Sequence, residues 1–195
     1  MTSFDAMIDD HLACIRELAA AREVISAAAA ALSRVIQNKG RIFICGNGGS
    51  AADAQHFAAE LVGRFERERR ALPALALTTD TSILTAVAND YGYESVFARQ
   101  LAGLAAGGDA LIGLSTSGNS ENVLWALRLA AEAGLTRVVL TGGDGGCLKD
   151  EADYAIVVPS ANTARVQEAH ILILHYWAQV IETGNSGGDY DLVLS

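Results

Sequence analysis

Between residues 41 and 158 the chain alternates short apolar runs with longer amphipathic stretches. The runs RIFIC (41–45), ALALT (74–78), ALIGL (110–114), TRVVL (136–140) and DYAIVV (153–158) read as strands buried on both faces. Helical spacing fills the stretches between them, over about 50–64, 81–104 and 120–133, and a last helix is predicted over about 163–183. Five such strands separated by helices predict an α/β fold: a parallel sheet in a three-layer α/β/α sandwich, with ligands gathering at the carboxyl ends of the strands. Residues 4–38 contain no Gly or Pro and predict a helical arm (1–39) ahead of the core (40–183). An arm in that position often packs on a second subunit. From Gly184, GNSGGDYDLVLS reads as a flexible tail (184–195) whose last apolar residues could dock on a neighbour.

Composition narrows the function. With 195 residues, 51% of them hydrophobic, the chain suits one well-filled domain. A net charge of -9 argues against a broad nucleic-acid surface, so an anionic ligand has to be held locally. The acidic start MTSFDAMIDD lacks the pattern of a secretory signal, and no apolar stretch approaches a membrane span. Three widely spaced cysteines with no CxxC suit a reducing cytoplasm, the expected location.

Two loops follow strands with unusual chemistry. GNGGS (46–50) lets the backbone come close to a ligand just as a helix offers its N–H groups to negative charge. Gly46, Gly48 and Ala51 also satisfy GxGxxA, but the acidic residue a dinucleotide site needs at the end of the second strand falls instead in the charged loop ERERR. In LSTSGNSEN (114–122), Ser115, Thr116, Ser117 and Ser120 put four hydroxyls within six residues at a helix start. They can surround a phosphate without lysine, or Asn119 or Ser120 can simply cap the helix.

Acid–base chemistry is offered by two helices. Asp53, His56, Glu60 and Arg64 form one stripe on the first, where His56 and Glu60 could share a divalent metal, Glu60 could act as a base oriented by its neighbours, or Glu60 and Arg64 could be an exposed ion pair. The last helix places Gln167, Glu168, His170 and His175 among large apolar residues.

Taken in order, GNGGSAADAQHFAAEL, TTDTSILTAVANDYGY, STSGNS, LTGGDGG and RVQEAH resemble the phosphoheptose (sedoheptulose 7-phosphate) isomerases of the sugar isomerase (SIS) domain superfamily, over about residues 40–183. The resemblance implies a flavodoxin-like five-stranded sandwich, a homotetramer with active sites at subunit interfaces, and conversion of sedoheptulose 7-phosphate to D-glycero-D-manno-heptose 7-phosphate for lipopolysaccharide and related glycoconjugates. It assigns Glu60 as catalytic base and His175 as catalytic acid. Substrate contacts fall on Asn47, Gly48, Gly49, Glu60, Asn89, Asp90, Ser115, Thr116, Ser117, Ser120 and Gln167. One zinc ion per subunit would take His56, Glu60, Gln167 and His175. Ala164 departs from the pattern, standing where some relatives have Asp. Gln167 and His175 lie about 12 Å apart along an ideal helix, which predicts that each metal site takes one of them from a neighbouring subunit. A rival resemblance is to non-catalytic SIS tetramers that bind the replication initiator protein, but those lack the acid and base retained here.

Overall fold

The computed structural model describes residues 3–185. Two arm helices, α1 (Phe4–Leu18) and α2 (Arg22–Gln37), precede β1 (Ile42–Gly46) and α3 (Gly49–Val62). Next come β2 (Ala74–Ala76), α4 (Thr81–Tyr91), α5 (Val96–Leu104), β3 (Ala110–Ser115) and α6 (Glu121–Glu132). The chain closes with β4 (Thr136–Gly142), β5 (Tyr154–Val158) and α7 (Thr163–Gly184). All pairings are parallel, in the order β2-β1-β3-β4-β5. The order reverses between β1 and β3, the switch point outside whose carboxyl ends a doubly wound sheet places its ligand crevice.

Alternate residues along each strand face opposite layers. Ile42 and Ile44 of β1, Ile112 and Leu114 of β3, and Val138 and Leu140 of β4 join the core built with α2, α3 and α7. Phe43, Cys45, Leu111 and Val139 enter the other core, with Val96, Phe97 and Leu101 of α5 and Val123 and Leu127 of α6. The largest buried side chain, Trp177 of α7, donates its Nε1–H to the Ile25 carbonyl of α2 at 2.9 Å, fastening the arm to the sandwich. Among the described residues no helix is long and apolar enough to cross a membrane.

Three boundaries differ from the sequence pattern. The arm is two helices, because Ala19–Ala21 tightens into a 3₁₀ turn in an alanine stretch whose side chains give no sign of it. The strand expected over 74–78 ends at Ala76, since Thr78 turns its hydroxyl to the Ala51 carbonyl of α3. Pairing of Thr141 and Gly142 with Val157 and Val158 extends β4 two residues past its apolar run. The tail lies outside the described residues from 186 onward.

Candidate active site

The loops after β1 and β3 meet at the crevice. Gly48, at φ +56, turns the chain into α3. Asn47 and Asn122 exchange a reciprocal pair of amide bonds across the switch point: Asn47 Nδ2 donates to Asn122 Oδ1 at 2.9 Å, and Asn122 Nδ2 to Asn47 Oδ1 at 2.8 Å. The Tyr93 hydroxyl adds a third bond to Asn47 Oδ1 at 3.1 Å. Neither Asn122, a buried amide in the first turn of α6, nor Tyr93 was marked by the sequence pattern. Asn89 and Asp90 are exposed near the end of α4, where Asn89 Nδ2 donates to Asp90 Oδ1 at 2.8 Å.

After β3, hydroxyls are gathered rather than spent on capping. Ser120 holds the N-cap position of α6, yet its side chain caps nothing and lies 2.8 Å from Ser115 Oγ. Ser117 Oγ is 3.5 Å from Ser115 Oγ and accepts the Asn119 N–H at 3.2 Å. Thr116 is half-buried between the two serines. The loop is braced from behind by the glycine turn after β4. Gly118, at φ +68, sits so close to Gly145 and Gly146 that a Cβ would run into the Gly145 carbonyl. Leu148 N–H donates to the Gly118 carbonyl at 3.0 Å and Cys147 N–H to Asn119 Oδ1 at 3.1 Å.

The acid–base groups converge in the groove between α3 and α7, which run in the same direction because both return across one face of a parallel sheet. Gln167 near the start of α7 abuts Gly49 at the start of α3, so closely that a Cβ on Gly49 would collide with its amide. Further along, His56 Nε2 lies 2.9 Å from His175 Nε2 and 3.3 Å from Glu60 Oε1. One ligand atom from each of His56, Glu60 and His175 lies within 4.8 Å of the others. Two imidazoles and a carboxylate gathered this closely form a donor set that suits a zinc ion. Phe65, just past α3, stacks on the His175 ring at 5.6 Å between centroids. Asp53 lies on the same stripe, half-buried, with no hydrogen-bond partner for Oδ2 among the described residues. Burial pushes its carboxyl up, an effect the nearby His56 opposes.

The exposed Glu60–Arg64 pair considered from the sequence does not form: α3 ends at Val62, and Arg64 reaches Glu68 at 3.7 Å. His170 is buried core, 3.2 Å from the Thr141 carbonyl, and burial pushes its imidazole down to about 4, an effect that bond partly offsets. Ala164 is exposed in the first turn of α7, its N–H capped by Asn162 Oδ1 at 3.0 Å.

Residues 7–142 match the SIS domain family. A phosphoheptose isomerase of a Nitratiruptor species is 60% identical over 147 residues, 75% of this chain and 79% of that one. Another, from Trichlorobacter lovleyi, is 50% identical over 191 residues and 96% of each chain. This chain belongs to the phosphoheptose isomerase family. The solved structure of a phosphoheptose isomerase from Francisella tularensis superposes with a TM-score of 0.90 at 40% identity, covering 94% of this chain and 100% of that one. The all-parallel five-stranded sheet with its flanking helices is that of a SIS aldose-ketose isomerase.

Proposed function

We propose that the enzyme interconverts sedoheptulose 7-phosphate and D-glycero-D-manno-heptose 7-phosphate through an enediol(ate), in the cytoplasm, as the first step towards activated heptose for lipopolysaccharide and related glycoconjugates. The observation that supports this most is the meeting of Glu60 and His175, from two helices, in one groove with His56. The phosphate is held by Ser115, Thr116, Ser117 and Ser120 at the start of α6, where helix N–H groups add partial positive charge. Asn47, Gly48, Gly49, Glu60, Asn89, Asp90 and Gln167 contact the sugar.

The reaction moves one proton between neighbouring carbons and one between their oxygens. Glu60 removes the proton from C1 of the ketose and returns it to C2, while His175 opens the ring and moves the proton between O2 and O1, so that the carbonyl ends at C1. His56, Glu60 and His175, completed by Gln167, would hold zinc. When bound, the ion supplies Lewis-acid polarisation of the carbonyl. Gln167 lies against Gly49, eight residues before His175, so its role as a ligand calls for a second copy of the chain. An assembly is also supported by Phe4, Met7, Ile8 and Leu12, exposed along one stripe of α1, and by exposed Leu172 and Tyr176 on α7. We read it as a homotetramer with active sites at its interfaces. Both Gln167 and His175 of one protomer on a single metal would refute the sharing.

A non-catalytic initiator-binding tetramer is not favoured, since Glu60 and His175 are retained and brought together. Purified protein given sedoheptulose 7-phosphate, with and without a chelator, is expected to form the aldose and to slow when metal is removed. Folded protein that forms no aldose under any metal condition would end the proposal.

A further inference from the structure

The loop between α3 and β2 supplies Arg69 to a buried ion pair to which the reaction above gives no part. Arg69 is 4% exposed and Glu182 of α7 is 1% exposed, with Arg69 Nε 3.3 Å from Glu182 Oε1. Burying two charges costs several kcal/mol each, and apolar residues often do as well or better, so the hydrogen bonds such a pair makes are informative. Glu182 accepts the backbone N–H groups of Phe65, Glu66 and Arg67, each at 3.0 Å. Burial alone would raise its carboxyl, but these bonds and the Arg69 cation outweigh it and hold the group below the usual carboxylate range. Arg69 donates to the carbonyls of Glu60 at 2.6 Å, Leu61 at 2.8 Å and Gly63 at 3.1 Å, acceptors left over at the end of α3. The first of these is the backbone of the base itself. The other arm reaches the acid: Phe65, whose N–H rests on Glu182, lies with its ring at 27° to the plane of His175.

We propose that Arg69 and Glu182 are positioning residues, a buried staple between α3 and α7 that sets where Glu60 and His175 stand relative to each other. The proposal rests on the isomerase reading for what that geometry does. The staple grips the C-terminal end of α3, about 20 Å along the helix from the loop that leads into it. Loss of the staple should therefore disturb the acid–base pair and spare sugar-phosphate binding.

The test compares wild type with Glu182→Gln, Arg69→Lys and Phe65→Leu, measuring kcat and KM for sedoheptulose 7-phosphate and, by NMR, the ring-to-ring contact between Phe65 and His175. Glu182→Gln and Arg69→Lys are expected to lower kcat about 10- to 100-fold with KM nearly unchanged, because a misplacement of about 1 Å is enough to cost that much. Both should weaken or abolish the ring contact. Phe65→Leu leaves the ion pair and its backbone bonds in place, and should lower kcat by less, again at constant KM. If the charge variants do not fold, Phe65→Leu decides. Folded variants with wild-type kcat, or with KM rising as much as kcat falls, would overturn the proposal. If wild type turns over no sugar, the isomerase reading fails separately, and persistence of the ring contact in Glu182→Gln would still overturn the staple.

Discussion

The site has two halves built in opposite ways. The hydroxyl loop after β3 draws all its side chains from residues 115–120, and its shape comes chiefly from local backbone: a left-handed glycine, a neighbouring glycine turn tied to Asn119 and a helix start. The acid–base groove joins His56 and His175, separated by 119 positions, through the packing of α3 on α7. Local geometry suffices to bind a phosphate, whereas proton transfer needs two groups whose spacing only the tertiary fold can set. A loop of the first kind should therefore fail in binding when altered, and a groove of the second kind in turnover.

The largest expected effect falls on the groove. His175→Gln should lower kcat about 10²- to 10⁴-fold, the usual range for losing a general acid or base, with KM and assembly held; steady-state kinetics and light scattering would check it. A KM rise with kcat intact would place His175 in binding and erase the contrast. Next, Ser115→Ala should raise KM roughly 10- to 100-fold, as expected for one hydrogen bond to a charged group, and leave kcat nearly unchanged. Calorimetric titration with the sugar phosphate would show whether binding is what was lost.

Two smaller effects sharpen the difference between backbone and packing. Gly118→Ala has to place a Cβ where the Gly145 carbonyl stands and strain a positive φ, so it should cost about 1–3 kcal/mol, read as a lower Tm with a raised KM. The last concerns His170, buried in the core against the Thr141 carbonyl of β4. Its pKa falls from 6.5 to about 4 on folding, so below 6.5 the unfolded chain takes up a proton that the native state refuses. Stability contributed by its neutrality is present above pH 6.5 and lost as pH falls towards about 4, by on the order of 3 kcal/mol. Urea unfolding of wild type and His170→Gln at about pH 7, 5 and 4 should show a flatter pH dependence in the variant.

The same contrast decides what could be read from the sequence. Five apolar runs marked all five strands, and the hydroxyl loop was legible because its parts are neighbours in the chain. His56 and Glu60 were legible as an i,i+4 pair, but nothing in the spacing said that His175 would reach them; that came from the resemblance of RVQEAH and its surroundings to a family. Phe65, Asn122 and Tyr93 escaped because an isolated aromatic or amide has no period of its own. ERERR is legible only as a charged loop, while Arg69 is buried with Glu182, since burial of a charge is fixed by a partner 113 residues away that pattern alone cannot supply.

The central claim is that Glu60 moves the proton, while most of the hold on the sugar phosphate comes from other groups. Its most direct test pairs calorimetric binding of sedoheptulose 7-phosphate with turnover for Glu60→Gln. The expected result is near wild-type affinity with aldose formation lowered by orders of magnitude, and turnover by Glu60→Gln at the wild-type rate would contradict it.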